Sequence, residues 1–213
     1  MDLDKIKTPM LLLDHKKCEA NIKFMTDKAN QLGLEFRPHF KTHQSGIIGN
    51  WFKNYGVYKI TVSSFKMAEY FAHHGWNDIT VAFPVNIREI DLINNLSAKI
   101  DLNVVLENIE STNFLSKHLN NPVGFLIKID TGYGRTGVSF DIFIIIDKIL
   151  KEAEKSDKLE FKGFLSHSGN TYYAKNIDEI KKIHLDSLQK LSLLKKQYAD
   201  RYSHFIISIG DTP

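Results

Sequence analysis

One short stretch of the chain carries four basic side chains at alternating positions. These are Arg37, His39, Lys41 and His43, and they follow an apolar-polar alternation that begins after Gly33. Such alternation is typical of a β-strand, in which the four side chains would share one face. Because an unpaired buried charge is costly, this face is either solvated or part of a site that needs positive charge.

Lys41 is the residue of this stretch that is suited to covalent chemistry. Cationic neighbours disfavour its ammonium form, so the free amine is present nearer to neutral pH. A free lysine amine is the nucleophile that forms a Schiff base with a carbonyl group. The alternative is an exposed edge strand with a solvated basic face.

A glycine-rich segment late in the chain surrounds a second cationic residue. Gly132, Gly134 and Gly137 have the Gly-x-Gly-x-x-Gly spacing of a dinucleotide-binding loop, and Arg135 lies between them. A dinucleotide loop opens the first βα unit and is followed by a strand that ends in an acid, whereas the next strand here ends in His167. A nicotinamide dehydrogenase is therefore the least favoured interpretation, and a flexible βα loop is the simplest.

Two further polar clusters follow predicted strands. His167 ends one of them, at the edge where βα barrels carry their catalytic groups, and Tyr172 lies in the polar loop beyond it. Ser208 and Gly210 follow the last strand, and a glycine beside a hydroxyl suits an anion because exposed backbone N–H groups bind phosphate. A histidine satisfied by the backbone and a simple turn are the alternatives.

Strand and helix patterns alternate along the whole chain, which predicts βα units around a parallel sheet. After the strand that carries Lys41, strands are predicted over residues 58–63, 79–83, 102–106, 124–130, 161–167 and 205–209. Helices are predicted over 15–32, 45–55, 66–73, 87–96, 111–119, 141–153 and 178–201. Both a barrel and a doubly wound sheet satisfy this order, and the polar inward face at Lys128 and Asp130 suits a barrel.

Composition excludes several classes of protein. The 213 residues suffice for one domain, and 28 Lys and Arg against 25 Asp and Glu leave no basic surface for nucleic acid. The single cysteine, Cys18, fits a reducing compartment, and the start lacks a signal core. Apolar runs are too short to cross a bilayer, so a cytoplasmic protein without membrane contact is expected.

The motif Arg-Pro-His-x-Lys-Thr-His at 37–43, together with Ser-x-Gly-Asp-Thr-Pro at 208–213, resembles the D-threonine aldolase and D-serine dehydratase family. These are pyridoxal-phosphate enzymes with an alanine-racemase-like barrel. The resemblance implies an incomplete TIM-type (β/α)8 barrel with seven of its strands over residues 15–213. It also implies that residues 1–14 are a strand of a β domain whose remainder lies beyond residue 213, so the chain is expected to be a fragment.

The resemblance also implies roles for individual residues. Lys41 forms the Schiff base with pyridoxal phosphate, Arg135 lies near the cofactor, and His167 packs against its pyridine ring. Tyr172 contacts the cofactor. The phosphate loop contains Ser208, Gly210, Asp211 and Thr212, with Asp211 acting through its backbone because its side chain would repel a phosphate.

The function implied is a lyase that acts on β-hydroxy D-amino acids, either as an aldolase or as a dehydratase. An amino-acid racemase and a non-catalytic pyridoxal-phosphate carrier remain open, as does a homodimer. A divalent metal is expected only in the full-length protein. The pairs His39/His43 and His73/His74 are not expected to bind zinc, and the Lys41 cation opposes a metal between the first two.

Overall fold

A continuous parallel sheet organises the molecule, for which a computed structural model describes residues 3–211. The strands are β1 (Lys59–Val62), β2 (Asp78–Pro84), β3 (Asp101–Leu106), β4 (Val123–Asp130), β5 (Val138–Ser139), β6 (Leu159–Ser166) and β7 (Ile206–Ile209). Their order is β1-β2-β3-β4-β6-β7, with the short β5 beside β4. The order never reverses, as it would in a doubly wound sheet, so the architecture is an incomplete barrel.

Seven helices connect or flank these strands: α1 (His15–Gln31), α2 (Gly46–Lys53), α3 (Phe65–His73), α4 (Ile90–Ser97), α5 (Ile109–His118), α6 (Phe143–Ala153) and α7 (Ile177–Tyr198). Several begin at a side chain that accepts a backbone N–H bond, as Ser64 and Asn108 do for α3 and α5. The helices and strands after residue 45 thus form where the sequence predicted them. No helix in the described part of the chain combines the length and apolarity of a membrane span.

The two faces of the sheet bury different side chains. Outward-facing residues such as Ile127 and Phe164 pack with the helices in the main core. Inward-facing Val105, Leu126 and Leu165 form a separate small cluster inside the incomplete barrel. Lys128 pairs in register with Leu165, and Leu165 with Ser208, so these polar residues share the inward face. The inner core is therefore apolar, and polar groups are added toward the carboxyl ends of the strands.

The segment around Lys41 is not the strand that alternation predicted. Its only ladder contact in the described structure is a parallel bridge from His39 to Thr61, and residues 40–42 form a 3-10 turn. Pro38 has no N–H to donate to a ladder, although its carbonyl accepts the N–H of Thr61 at 2.9 Å. The four basic side chains therefore do not share one face.

Arg37 belongs to the opposite edge of the sheet from Lys41. Its guanidinium lies 2.7 Å from the Asp78 carboxylate, at the start of β2, and also donates to the Ile60 carbonyl. Both partners of this ion pair are largely buried. Arg37 therefore joins strand starts rather than contributing to a site at the strand ends.

The strand expected within residues 1–14 is not formed over the described part of that segment, residues 3–14. Residues 9–14 have no regular secondary structure, and Met10, Leu11, Leu12 and Leu13 are exposed. A strand requires a neighbour for its backbone hydrogen bonds, and none is present beside this segment among the described residues. The assignment of residues 1–14 to a separate β domain stays a prediction.

Candidate active site

Lys41 lies on a rigid turn at the carboxyl edge of the sheet. The preceding residue, Phe40, is completely buried, whereas Lys41 itself is exposed. The rings that surround Phe40 at centroid distances of 4.5–5.0 Å are those of His43, Phe52, Phe71 and Trp76. This aromatic anchor fixes the backbone of the turn and leaves the lysine side chain free to face the mouth of the barrel.

His39 stabilises the same turn from the inside of the barrel. Its Nδ1 accepts the N–H of Lys41 at 3.3 Å, so its proton belongs on Nε2. Burial, followed by the electrostatic influence of Lys41 and His167, lowers the pKa of His39 to about 4. His39 is therefore a neutral side chain at physiological pH.

This shift makes the folded state sensitive to acid. The unfolded chain protonates His39 near its ordinary pKa of 6.5, whereas the folded protein does so only near 4. Above pH 6.5, His39 is neutral in both states and does not lower the free energy of unfolding. As the pH falls from 6.5 toward 4, protonation of His39 in the unfolded chain lowers this free energy. We expect His39→Gln to reduce that loss, measured as the urea midpoint between pH 7 and pH 4. His204→Gln, at an exposed position, is the matched control and should follow the parent protein.

His167 brings together two segments that are far apart in the sequence. Its Nδ1 donates to the Gly210 carbonyl at 3.0 Å, and its Nε2 accepts the Tyr172 hydroxyl at 3.2 Å. Burial lowers the pKa of His167; the bond to Gly210 opposes this, and the nearby cations Arg135, Lys128 and Lys41 add to it. The neutral imidazole is thus held in one tautomer and one orientation. The next residue along the chain, Tyr173, is exposed.

The loop that follows β4 presents Arg135 at the same edge. The Asp130 carboxylate accepts the N–H groups of Gly132, Tyr133 and Gly134 at 2.9–3.1 Å. These N–H groups are consequently not free to hold a pyrophosphate, which argues against the dinucleotide interpretation. Arg135 itself is exposed and lies 5.3 Å above the Tyr133 ring.

Two residues of this site had no assigned role in the sequence reasoning. Tyr133 lies edge-on to the His167 ring at 5.8 Å. Lys128 is only 5% exposed on the inward face of β4, where burial and then Arg135 lower its pKa to about 8 against the opposing charges of Glu107 and Asp130. Two signals in the sequence could have identified them: Tyr133 lies between two glycines, and Lys128 lies within an otherwise apolar strand.

The closing turn provides an open surface beside His167. Gly210 is exposed, and a Cβ atom placed there would meet no atom within 4 Å. Ser208 lies on the inward face two residues earlier, in register with Leu165. The Asp211 carboxylate accepts a hydrogen bond from the Thr171 hydroxyl, and the role of its backbone in binding a phosphate stays a prediction. Thr212, the remaining predicted residue, lies outside the described residues.

These groups fit pyridoxal phosphate in their chemistry. The amine of Lys41 suits an aldehyde, the His167 ring suits contact with a flat heterocycle, and the open turn at Gly210 suits a phosphoryl group. Lys41, Lys128 and Arg135 all lower the pKa of His167, so positive charge is concentrated near this side chain, which favours an anion. Within residues 3–211, no group of three or more His, Cys, Asp or Glu side chains is arranged to hold a metal.

An amine, a guanidinium and an oriented imidazole thus lie at the carboxyl edge of a parallel β/α barrel, where proteins of this class carry their active sites. Comparison with known proteins gives the family. The model "Alanine racemase, N-terminal domain" matches residues 13–210, so the chain belongs to this family. This confirms both the family resemblance and the barrel class predicted from the sequence.

Individual relatives include enzymes of D-amino-acid metabolism. The chain is 28% identical over 228 residues to D-serine dehydratase from Dictyostelium discoideum, covering 100% of this chain and 58% of the relative. It is 28% identical over 187 residues to 3-hydroxy-D-aspartate aldolase from Paracoccus denitrificans, covering 85% of this chain and 48% of the relative. The chain thus spans about half the length of the curated relatives it matches.

A solved structure supports the fold independently. D-threo-3-hydroxyaspartate dehydratase from Delftia sp. HT23 superimposes with a TM-score of 0.91 at 22% sequence identity, covering 98% of this chain and 56% of that one. At this level of identity, the likeness establishes the barrel fold.

Proposed function

We propose that this chain is the pyridoxal-phosphate-binding part of a lyase that acts on β-hydroxy D-amino acids. The observation that carries the proposal is the convergence of Lys41, Arg135 and His167 at one edge of the barrel, next to the open turn at Gly210. Relatives named as a dehydratase and as an aldolase of such amino acids support the substrate class.

The cofactor would be held by residues of four separate segments. Lys41 would bind its aldehyde carbon, and His167 would lie against its ring with Tyr172 beside it. Arg135 would contribute positive charge from the glycine-rich loop. The phosphate would bind at the closing turn, through Ser208, Gly210, Asp211 and Thr212. When bound, pyridoxal phosphate supplies an electron sink for the carbanion that forms at Cα.

The protein's own contribution is to move protons and to orient the reacting groups. In a dehydration, the amine of Lys41 would take the Cα proton once the substrate has displaced it. In an aldol cleavage, a base instead takes the proton of the β-hydroxyl. Burial lowers the pKa of both His39 and His167, so both imidazoles would be neutral and able to accept a proton beside the bound substrate.

Other features of the whole enzyme are proposals that extend beyond this chain. A mutant of D-threo-3-hydroxyaspartate dehydratase has been solved in the metal-free form. We propose that the full-length protein binds a divalent metal through residues outside this chain. A cytoplasmic location and a homodimer complete the proposal.

An assay of the full-length protein with D-serine and D-threonine, with and without a chelator, tests this function. Dehydration of D-serine yields pyruvate and ammonia, and cleavage of D-threonine yields glycine and acetaldehyde. We expect one of these activities, absent with the L-enantiomers and reduced by the chelator. A protein that binds pyridoxal phosphate but converts neither of these nor 3-hydroxy-D-aspartate would contradict the proposal.

A further inference from the structure

Glu107 is placed to control the loop that carries Arg135. It follows β3 and lies two residues after the inward-facing Val105, so it points to the same side of the sheet. Its carboxylate accepts the N–H of Gly137 at 2.9 Å. Gly137 is the last glycine of the loop, directly before β5, so Glu107 holds the far end of a loop whose near end is held by Asp130.

The loop end that Glu107 holds is packed tightly against β4. A Cβ atom on Gly137 would lie 2.9 Å from Cγ of Lys128 and 3.0 Å from the Lys128 carbonyl oxygen. The backbone there has φ +108°, a conformation that favours glycine. Gly137 therefore lies directly over the stem of Lys128, and the bond from its N–H to Glu107 keeps it there.

Glu107 also acts electrostatically on the amine of Lys128. The charged groups that act on this amine are Arg135, which disfavours its protonation, and Glu107 and Asp130, which favour it. The amine in turn acts on His167. One oxygen of Asp130 already accepts three loop N–H bonds. The Glu107 carboxylate thus binds the loop through Gly137 and also supplies negative charge to the interior of the barrel.

We propose that Glu107 is a positioning residue of this site, which fixes the Arg135 loop over the barrel and supplies the negative charge opposite Lys128. This inference rests on the proposed cofactor site and goes beyond it. Glu107 belongs neither to the sequence motifs at 37–43 and 208–213 nor to the residues proposed to hold the cofactor. With Glu107 ionised, Arg135 is held at the mouth and Lys128 remains a cation that favours a bound phosphate ester.

Two substitutions separate the two roles of Glu107. Glu107→Gln keeps an oxygen that accepts the Gly137 N–H but removes the charge, whereas Glu107→Ala removes both. The dissociation constant of pyridoxal phosphate is measured by absorbance on the 213-residue protein from pH 6 to pH 10. Lys128→Met is the matched variant that lacks the amine, and thermal unfolding verifies that each variant is folded.

The wild-type affinity should fall as the pH rises through the Lys128 titration near pH 8. In Glu107→Gln this fall should move to lower pH, because the loss of the carboxylate favours the neutral amine. It should be absent in Lys128→Met. Glu107→Ala should bind the cofactor about tenfold more weakly at pH 7, because a charged hydrogen bond that orders the loop is lost.

The outcomes of this experiment are distinguishable. If the wild-type chain binds no pyridoxal phosphate, the proposed function fails together with this inference. If it binds and Glu107→Gln has the wild-type pH profile, the role of Glu107 is overturned. Should Glu107→Ala not fold, the pH profile of Glu107→Gln alone decides the matter.

Discussion

Lys41→Ala is expected to abolish covalent attachment of pyridoxal phosphate and to reduce lyase activity of the full-length enzyme by on the order of a thousandfold or more. The substitution removes the amine while leaving Phe40, which anchors the turn, and His39, which caps it. Absorbance of the bound cofactor and turnover of the D-amino acid are the two measurements. Lys66→Ala, at an exposed position on α3, is the matched control and should change neither.

A different result would redirect the assignment. If Lys41→Ala retained the imine absorbance of the parent protein, another amine would have to be the attachment point. Lys128 would be the first candidate, because it is the buried lysine of the inward face. A loss of absorbance in both the Lys41 and Lys66 variants would instead indicate general unfolding.

Gly163→Ala is expected to destabilise the fold more than the same substitution at any other described glycine. A Cβ atom at Gly163 would lie 1.9 Å from the carbonyl oxygen of Ile206, and the backbone there has φ +140°. The strained backbone and the steric overlap together predict a loss of about 4 kcal/mol in the free energy of unfolding. Urea denaturation measures this loss directly.

Gly210→Ala provides the comparison for this stability measurement. A Cβ atom there meets nothing within 4 Å, so the free energy of unfolding should remain within about 0.5 kcal/mol of the parent protein. If Gly163→Ala were equally mild, β6 and β7 could not approach as closely as described. The position of Gly210 relative to His167 would then need revision as well, because it depends on that pairing.

The sequence was sufficient to predict the βα units because the signals for them are local. Apolar strands, side-chain caps such as Ser64 and Asn108, and glycine stops identify each element without knowledge of its neighbours. Local signals did not predict the structure of the Lys41 segment, which is a 3-10 turn and not a strand. The conformation of this segment depends on an aromatic cluster contributed by α2, α3 and Trp76, which lies two residues before β2, and local alternation does not reveal this cluster.

The candidate site was predictable to the extent that it depends on strand ends. The carboxyl ends of parallel strands meet at one edge, so a meeting of His167 with the turn at Gly210 followed from the fold class. The roles of Glu107 and Lys128 did not follow. The proximity of both residues to Gly137 requires the loop after β4 to return over that strand, and local sequence patterns do not reveal this geometry.

Mapping the attachment point of pyridoxal phosphate tests the account most directly. The 213-residue protein is incubated with the cofactor and reduced with borohydride, and its peptides are sequenced by tandem mass spectrometry. The account predicts a phosphopyridoxyl group on Lys41 alone. Modification confined to Lys128, or spread over exposed lysines without preference for Lys41, would contradict it.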